Sequence, residues 1–455
     1  MDIKSTGMPG LDEILGGGIP ATSTVLIAGN PGTGRTTLGI QSLCYAAKEG
    51  EKVLYVCPTT KSEASVRETL SQYDFYEESL NIRTYNISSV ERDPLTMLVD
   101  LGNAVASLNP DRILIDPVTP IGFGFPEAER RRFMYSLNSA MNDWNAIVYL
   151  TGTMSTQEMC RSVITDIVDG VIYLSQKIGR VNTDRRLKVI KFSGLSYLNG
   201  EHFFEASSSG VSIYPRIEIP FSRPEWNSER IGFGIDNLEK LMGGGLFRQS
   251  STLLAGNTGT GRTIFGLQFI IDGAMKGESG IISSFEETPE EIRYYAENLG
   301  CDLKELEDKD LVRIFHMAPS EINPCKHAIK LKEHIEAIGA KRVVIDDISG
   351  FENAFGVCAE KREHLSNLIR LFKALDITAV LIGGNMAPGS DLLVSEIPVS
   401  SFVDNLILLR NLEIDDEIKK ALYILKMHGS NHEKRLIEYN IDSDGIHIGE
   451  FLKDM

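Results

Sequence analysis

The chain has 455 residues, 42% hydrophobic and 24% charged, the balance of a globular protein long enough to require at least two cores. Acidic side chains outnumber basic ones for a net charge of −17, which argues against broad binding to nucleic acid or to an anionic membrane. The amino terminus, MDIKSTGMPG, has no apolar leader segment, and no run approaches the roughly 18 apolar residues of a membrane span, so a cytoplasmic protein is expected.

In chain order, the apolar run STVLIAG leads through a glycine-rich segment into the helical stretch TTLGIQSLCYAAKEG, and KVLYV, RILID, AIVYLTG and GVIYL follow between further helical stretches. Runs that are apolar at successive positions predict strands buried on both faces, hence a mostly parallel sheet flanked by helices. From Leu187 onward the pattern predicts hairpin strands added at an edge. The whole arrangement then recurs. Leu11 to Thr37 aligns without gaps to Leu238 to Ile264 at an offset of 227 residues, RILIDPVT at Arg112 matches RVVIDDIS at Arg342, and LKVIKFSG at Leu187 matches LYILKMHG at Leu422. A period this long equals one domain, so two tandem α/β domains are expected. Pro215, Pro220 and Pro224 within Ile213 to Asn227 predict an extended linker with the join near residue 222, giving domains 1–222 and 223–455.

Each half carries a candidate phosphate loop after its first strand: Gly29, Asn30, Pro31, Gly32, Thr33, Gly34, Arg35, Thr36 and Thr37 in one, and Gly256, Asn257, Thr258, Gly259, Thr260, Gly261, Arg262, Thr263 and Ile264 in the other. Glycines allow backbone N–H groups to converge on phosphate oxygens, the helix that follows adds positive potential, and the hydroxyls of Thr36 and Thr263 suit Mg²⁺. Arg35 and Arg262 stand where the pattern GxxxxGK[ST] has lysine, an exchange that keeps the charge but replaces a compact ammonium by a planar fork. Nucleotide binding is expected to persist, with catalysis altered. Asp116 and Asp346 end the strands RILID and RVVID, 81 and 84 residues beyond the two arginines, where a carboxylate can hold Mg²⁺ through water. The six cysteines lack CxxC spacing and the eight histidines lack HExxH or paired spacing, so buried free thiols and no structural metal site are expected.

The segments STGMPGLDEILGGGIP, GN[PT]GTGRT, FEETPEEI, IDPVT, IDDIS and LKMHGSNHEK resemble the double-domain form of the KaiC family of RecA-like ATPases, over essentially the whole chain. The resemblance implies two RecA-like phosphate-loop domains, each binding ATP and Mg²⁺ at a subunit boundary, in a homo-hexameric ring. It implies that Glu286 and Glu287 activate the attacking water, and that Lys191 and Lys426 reach the γ-phosphate of a neighbouring chain, Lys191 from the first half and Lys426 from the catalytic one. The gap-free counterparts of the two glutamates are Thr59 and Thr60, which cannot serve as a carboxylate base, and Ser193 and His428 stand where the family has a second trans cation, an arginine. Slow hydrolysis confined to the second half is therefore expected, with the first half binding nucleotide and supporting assembly. The alternatives are a non-catalytic nucleotide sensor or scaffold, and a recombinase-like ATPase on DNA, which the charge disfavours. In VSSFVDNLILL, Ser400 and Ser401 precede Asp404 as the family's autophosphorylated Ser-Thr pair does, although serines at a strand start ordinarily serve as turn or cap residues.

Overall fold

The computed structural model describes residues 2–178, 183–217, 227–318, 321–352, 358–383, 401–414 and 417–452. Two compact units divide the chain, Met1–Arg216 and Ile217–Met455. The join at residue 222 lies outside the described residues. Ile213 and Tyr214, which the proline-rich segment assigns to the linker, instead complete the edge strand of the first sheet, because their backbones pair with Phe204 and Phe203.

In the first unit nine strands form one sheet: β1 (Thr24–Gly29), β2 (Val53–Thr59), β3 (Asn81–Asn86), β4 (Arg112–Ile115), β5 (Ile147–Thr153), β6 (Gly170–Ile178), β7 (Thr183–Phe192), β8 (His202–Ser207) and β9 (Gly210–Tyr214). Their lateral order is 3-2-4-5-1-6-7-8-9. The second unit repeats it with β10 (Ser251–Gly256), β11 (Gly280–Ser284), β12 (Val312–His316), β13 (Arg342–Asp346), β14 (Thr378–Ile382), β15 (Asn405–Ile414), β16 (Glu417–Met427), β17 (Ile437–Asp442) and β18 (Gly445–Phe451) in the same order. The first six strands of each sheet pair in parallel and the last three add antiparallel, as the change from continuous apolar runs to hairpin patterning predicts.

Both faces of each sheet are covered. Along β1, Val25 and Ile27 join one core with Leu38 and Leu43 of helix α1 (Arg35–Lys48), while Leu26 and Ala28 join the other with Leu101 and Leu137 from α2 (Pro94–Leu108) and α3 (Glu127–Asp143). Alternation of side chains along a strand is what divides them. In the second unit α4 (Arg262–Met275) covers one face and α5 (Pro324–Ile338) and α6 (Cys358–Ala374) the other. A Cβ on Gly39 of α1 would stand 2.9 Å from Leu114, and one on Gly266 of α4 would stand 2.8 Å from Val344, so each glycine sets the close approach of its helix to the sheet.

Arg342, 1% exposed at the start of β13, pairs with Asp272 at 3.0 Å and Glu278 at 2.8 Å, donates to the Phe269 carbonyl at 2.9 Å and lies over the Phe269 ring. Arg112, its counterpart, pairs with Glu51 at 2.7 Å. Arg342→Met removes the buried cation shared by Asp272 and Glu278, leaving them only the more exposed Lys276 and Arg248, and is expected to destabilise the second unit by about 2–4 kcal/mol. Chemical denaturation is the measurement, and an unchanged midpoint would refute the assignment. Among the described cysteines Cys44 and Cys301 are buried free thiols as expected, but Cys160, the residue that ends the short helix Thr156–Met159, is exposed. No helix among the described residues is long and apolar enough to cross a membrane.

Candidate nucleotide sites and their two different carboxylate environments

Each phosphate loop leaves the carboxyl end of the strand that lies fifth in its sheet, with three parallel neighbours on one side before the outermost strand and the hairpin extension on the other. Gly34 and Gly261 sit at φ 93° and φ 86°, left-handed values that favour glycine, and hand the chain directly to α1 and α4. Neither helix start has a side-chain cap, so its first N–H groups remain free for an anion. Within the loops Thr33 donates to the Asn30 carbonyl and Thr260 to the Asn257 carbonyl, both at 2.8 Å, which holds the two turns in one conformation. A cavity of about 370 Å³ opens over the first loop, lined by Gly32, Gly34, Arg35, Thr36, Thr37, Tyr73 and the hairpin residues Ala206 to Ser208.

The strand-end aspartates occupy matching positions in unlike surroundings. In the second unit Asp346 accepts a hydrogen bond from Thr263, and burial, with Glu287 and Asp347 nearby, pushes its carboxyl up to about 7. Burial, then the neighbouring Glu286, also raises the Glu287 carboxyl above the ordinary carboxylate range. Crowded carboxylates beside a threonine hydroxyl fit Mg²⁺. Thr263 and Asp346 would hold it, and the ion would neutralise developing phosphoryl charge. Among the described residues no three metal-binding side chains converge on one point, so phosphates and water would complete the coordination. Arg262 Nη1 lies 3.1 Å from Asp347 Oδ2.

In the first unit Asp116 is held by hydroxyls. Tyr55 donates to its Oδ2 at 3.2 Å, and Thr151 donates to its Oδ1. Burial, together with the Asp116 charge, raises the Tyr55 phenol far above its ordinary value, so it remains a donor. Burial lowers the Arg35 guanidinium and Asp116 opposes that shift, though an arginine stays charged. Arg35 Nη1 is buried without a hydrogen-bond partner.

Glu286 and Glu287 lie between β11 and the helix Pro289–Asn298, outside its first turn. Thr288 caps that helix reciprocally with Glu291, so Glu290 and Glu291, not the earlier pair, occupy the first turn. Glu287 is held near the Asp346 strand end by Ser284, which pairs in register with Asp346 and donates to the Glu287 carbonyl at 2.8 Å. Thr59, by contrast, accepts the Lys61 N–H at 3.1 Å and forms a local turn.

Lys191 and Lys426 donate to backbone carbonyls of their own units, Lys191 to Asp166 at 3.0 Å and Lys426 to Val403 at 2.6 Å. Register aligns Lys191 with Val171 and Leu26, and Lys426 with Leu406 and Leu253, three residues before the glycine that opens each loop. Neither ammonium therefore stands at its own phosphate loop. Ser193 and His428 follow at the hairpin, where the N–H of each bonds the carbonyl of Asp169 or Asp404. Ser400 lies outside the described residues, and Ser401 opens the short turn before β15. Sequence reasoning missed Tyr55, Tyr73 and Thr151. The hydroxyl-bearing positions inside KVLYV and YLTG were the available signal for two of them.

The fold and the paired loops define a tandem RecA-like nucleotide-binding protein. A family model described as the ATPase KaiC matches residues 4–218 and 231–453, and the chain belongs to that family. Similar curated proteins include the circadian clock protein KaiC3 of Synechocystis sp. strain PCC 6803, 27% identical over 98% of this chain and 91% of its own length. KaiC2 of the same organism is 28% identical over 98% of this chain and 81% of its own. The clock oscillator protein KaiC of Parathermosynechococcus lividus is 27% identical over 98% and 85%.

Proposed function

We propose that both domains bind adenine nucleotide, and that the second hydrolyses Mg-ATP slowly while the first serves mainly binding and assembly. The observation that carries this reading is the contrast at one position: Glu286 and Glu287 lie between strand and helix cap, Glu287 held beside the Asp346 strand end by Ser284, whereas Thr59, the counterpart of Glu286, is engaged in a turn. Glu287 takes the proton of the attacking water or orients it, while Thr263 and Asp346 hold the metal. Lys191 and Lys426, each set back from its own loop, are offered to the γ-phosphate of a neighbouring chain in a homo-hexamer. Without a guanidinium at positions 193 and 428, transition-state charge is less well stabilised and turnover is slow.

Purified protein incubated with ATP and Mg²⁺ tests this directly. The expected result is bound nucleotide, phosphate release, and a native mass that reports six chains. Bound nucleotide without phosphate release would replace hydrolysis by the sensor or scaffold reading, which the Arg262–Asp347 pair favours because it diverts the loop cation from phosphate. Absence of bound nucleotide would overturn both. Intact mass on the same sample reports whether Ser400 or Ser401 accepts a phosphoryl group, and an unshifted mass assigns these serines to turn and interface roles.

A further inference from the structure

The pairing of Asp116 with Asp346 in the sequence hides a difference in what each can do. In the first sheet β4 lies between β2 and β5, and a hydroxyl reaches Asp116 from each neighbour, Tyr55 from β2 and Thr151 from β5. In the second sheet the positions in register with these are Ile282 of β11 and Ile382 of β14. Apolar side chains at those two positions offer Asp346 no hydroxyl, and it accepts instead from Thr263 of α4.

The charge inventory diverges in the same direction. Around the first loop Arg35 faces Asp116, one cation against one carboxylate, and the positions of Asp347, Glu286 and Glu287 carry Pro117, Thr59 and Thr60. Around the second, Arg262 and Lys420, whose ammonium donates to the Gly259 carbonyl, are set against Asp346, Asp347, Glu286 and Glu287, a formal balance of −2. A polyanionic triphosphate placed beside that excess of carboxylates needs a divalent cation between them. Arg35 Nη1 and Arg262 Nη1 are both buried without a hydrogen-bond partner, but Arg262 Nη1 lies 3.1 Å from the Asp347 carboxylate, whereas the strand-end carboxylate at the first loop already accepts two hydroxyl hydrogen bonds. Turning Asp116 toward a metal-bound water would also strand hydroxyls on Tyr55, 3% exposed, and Thr151, 1% exposed, and buried donors without acceptors are costly. The first site therefore fits Mg²⁺ poorly.

We infer that the first domain is a metal-independent nucleotide site, in which Arg35 and the loop N–H groups hold the triphosphate while Tyr55 and Thr151 keep Asp116 turned away from cation binding. This rests on the reading that both loops bind nucleotide, and it revises the assignment of Thr36 and Asp116 as metal residues. The second domain keeps its dependence on Mg²⁺ through Thr263 and Asp346.

Equilibrium dialysis of the full-length protein against ATP, with Mg²⁺ or with EDTA, decides the matter. The expected result is about two equivalents bound in Mg²⁺ and about one in EDTA, the first site changing less than about threefold in affinity and the second weakening by about tenfold or more. The equivalent that survives EDTA should disappear in Arg35→Gln and remain in Arg262→Gln, with circular dichroism verifying that each variant is folded. Tyr55→Phe combined with Thr151→Val, which frees Asp116 to act as Asp346 does, should make the surviving equivalent depend on Mg²⁺ even if Arg35→Gln fails to fold. Loss of both equivalents in EDTA would overturn the proposal while leaving two nucleotide sites in place. Retention of both, or a surviving equivalent that depends on Arg262, would overturn it as well. No binding even with Mg²⁺ would refute the underlying nucleotide reading itself.

Discussion

Replacing Glu286 and Glu287 by glutamine is expected to lower steady-state phosphate release by about 10²-fold or more, because a positioned base supplies that much of the rate. Glutamine keeps the size and hydrogen-bonding reach of the side chain but cannot accept the proton of the attacking water. The geometry favours these residues over other carboxylates nearby: they follow a strand buried along its whole length, precede a cap that does not use them, and approach the strand-end Asp346. Substituting Thr59 and Thr60 by alanine should change the rate less than about twofold, since Thr59 is committed to the Lys61 N–H and neither hydroxyl is a base near neutral pH. Phosphate release from the two double variants and the parent makes the comparison. Equal losses would mean that the first site is hydrolytic by some group other than the one its strand end presents.

A second large effect is expected on acidification. Seven of the eight histidines lie in the second half of the chain, and His327 is 0% exposed among Phe285, Phe315 and Phe351. Its Nε2 meets the Ser283 hydroxyl at 2.8 Å, while its buried Nδ1 has no partner. Burial, then the neighbouring His364, lowers the His327 imidazole to about 3, and burial lowers His364 to about 4. Both rings are thus neutral in the folded protein, whereas in the unfolded chain they take up protons below about pH 6.5. Proton uptake favours the unfolded state, so this stability is fully present above pH 6.5 and declines as the pH falls toward 4 and 3. Between pH 7 and pH 5 the two groups together should cost the second unit roughly 4 kcal/mol. Thermal melts across that range should show the fall, and His327→Phe should remove about half of it. An identical pH profile in the variant would locate the acid sensitivity elsewhere.

The repeat, the α/β plan of each half with its edge hairpin and both phosphate loops were readable from the chain alone, because each depends on short-range order. Glycines at the loop, continuous apolar runs in β1 and β10, and aspartates after RILI and RVVI carry their meaning within a few residues. Lys191 and Lys426 were singled out by motif, and strand register aligns each with a position three residues before the glycine that opens its own loop. What surrounds each aspartate was not readable in that way. Tyr55 and Thr151 are 96 positions apart, and each looks like one more residue of a buried strand. They meet Asp116 only because the sheet order interposes β4 between β2 and β5. The same order brings Ile282 and Ile382 to the flanks of Asp346, and the difference between a carboxylate saturated by hydroxyls and one crowded by other carboxylates arises there. Local pattern determined where the candidate phosphate loops are, since backbone conformation and burial are written in neighbouring residues. Tertiary structure alone decided what surrounds each strand-end aspartate, since hydrogen bonding and charge depend on side chains that lateral strand pairing brings together.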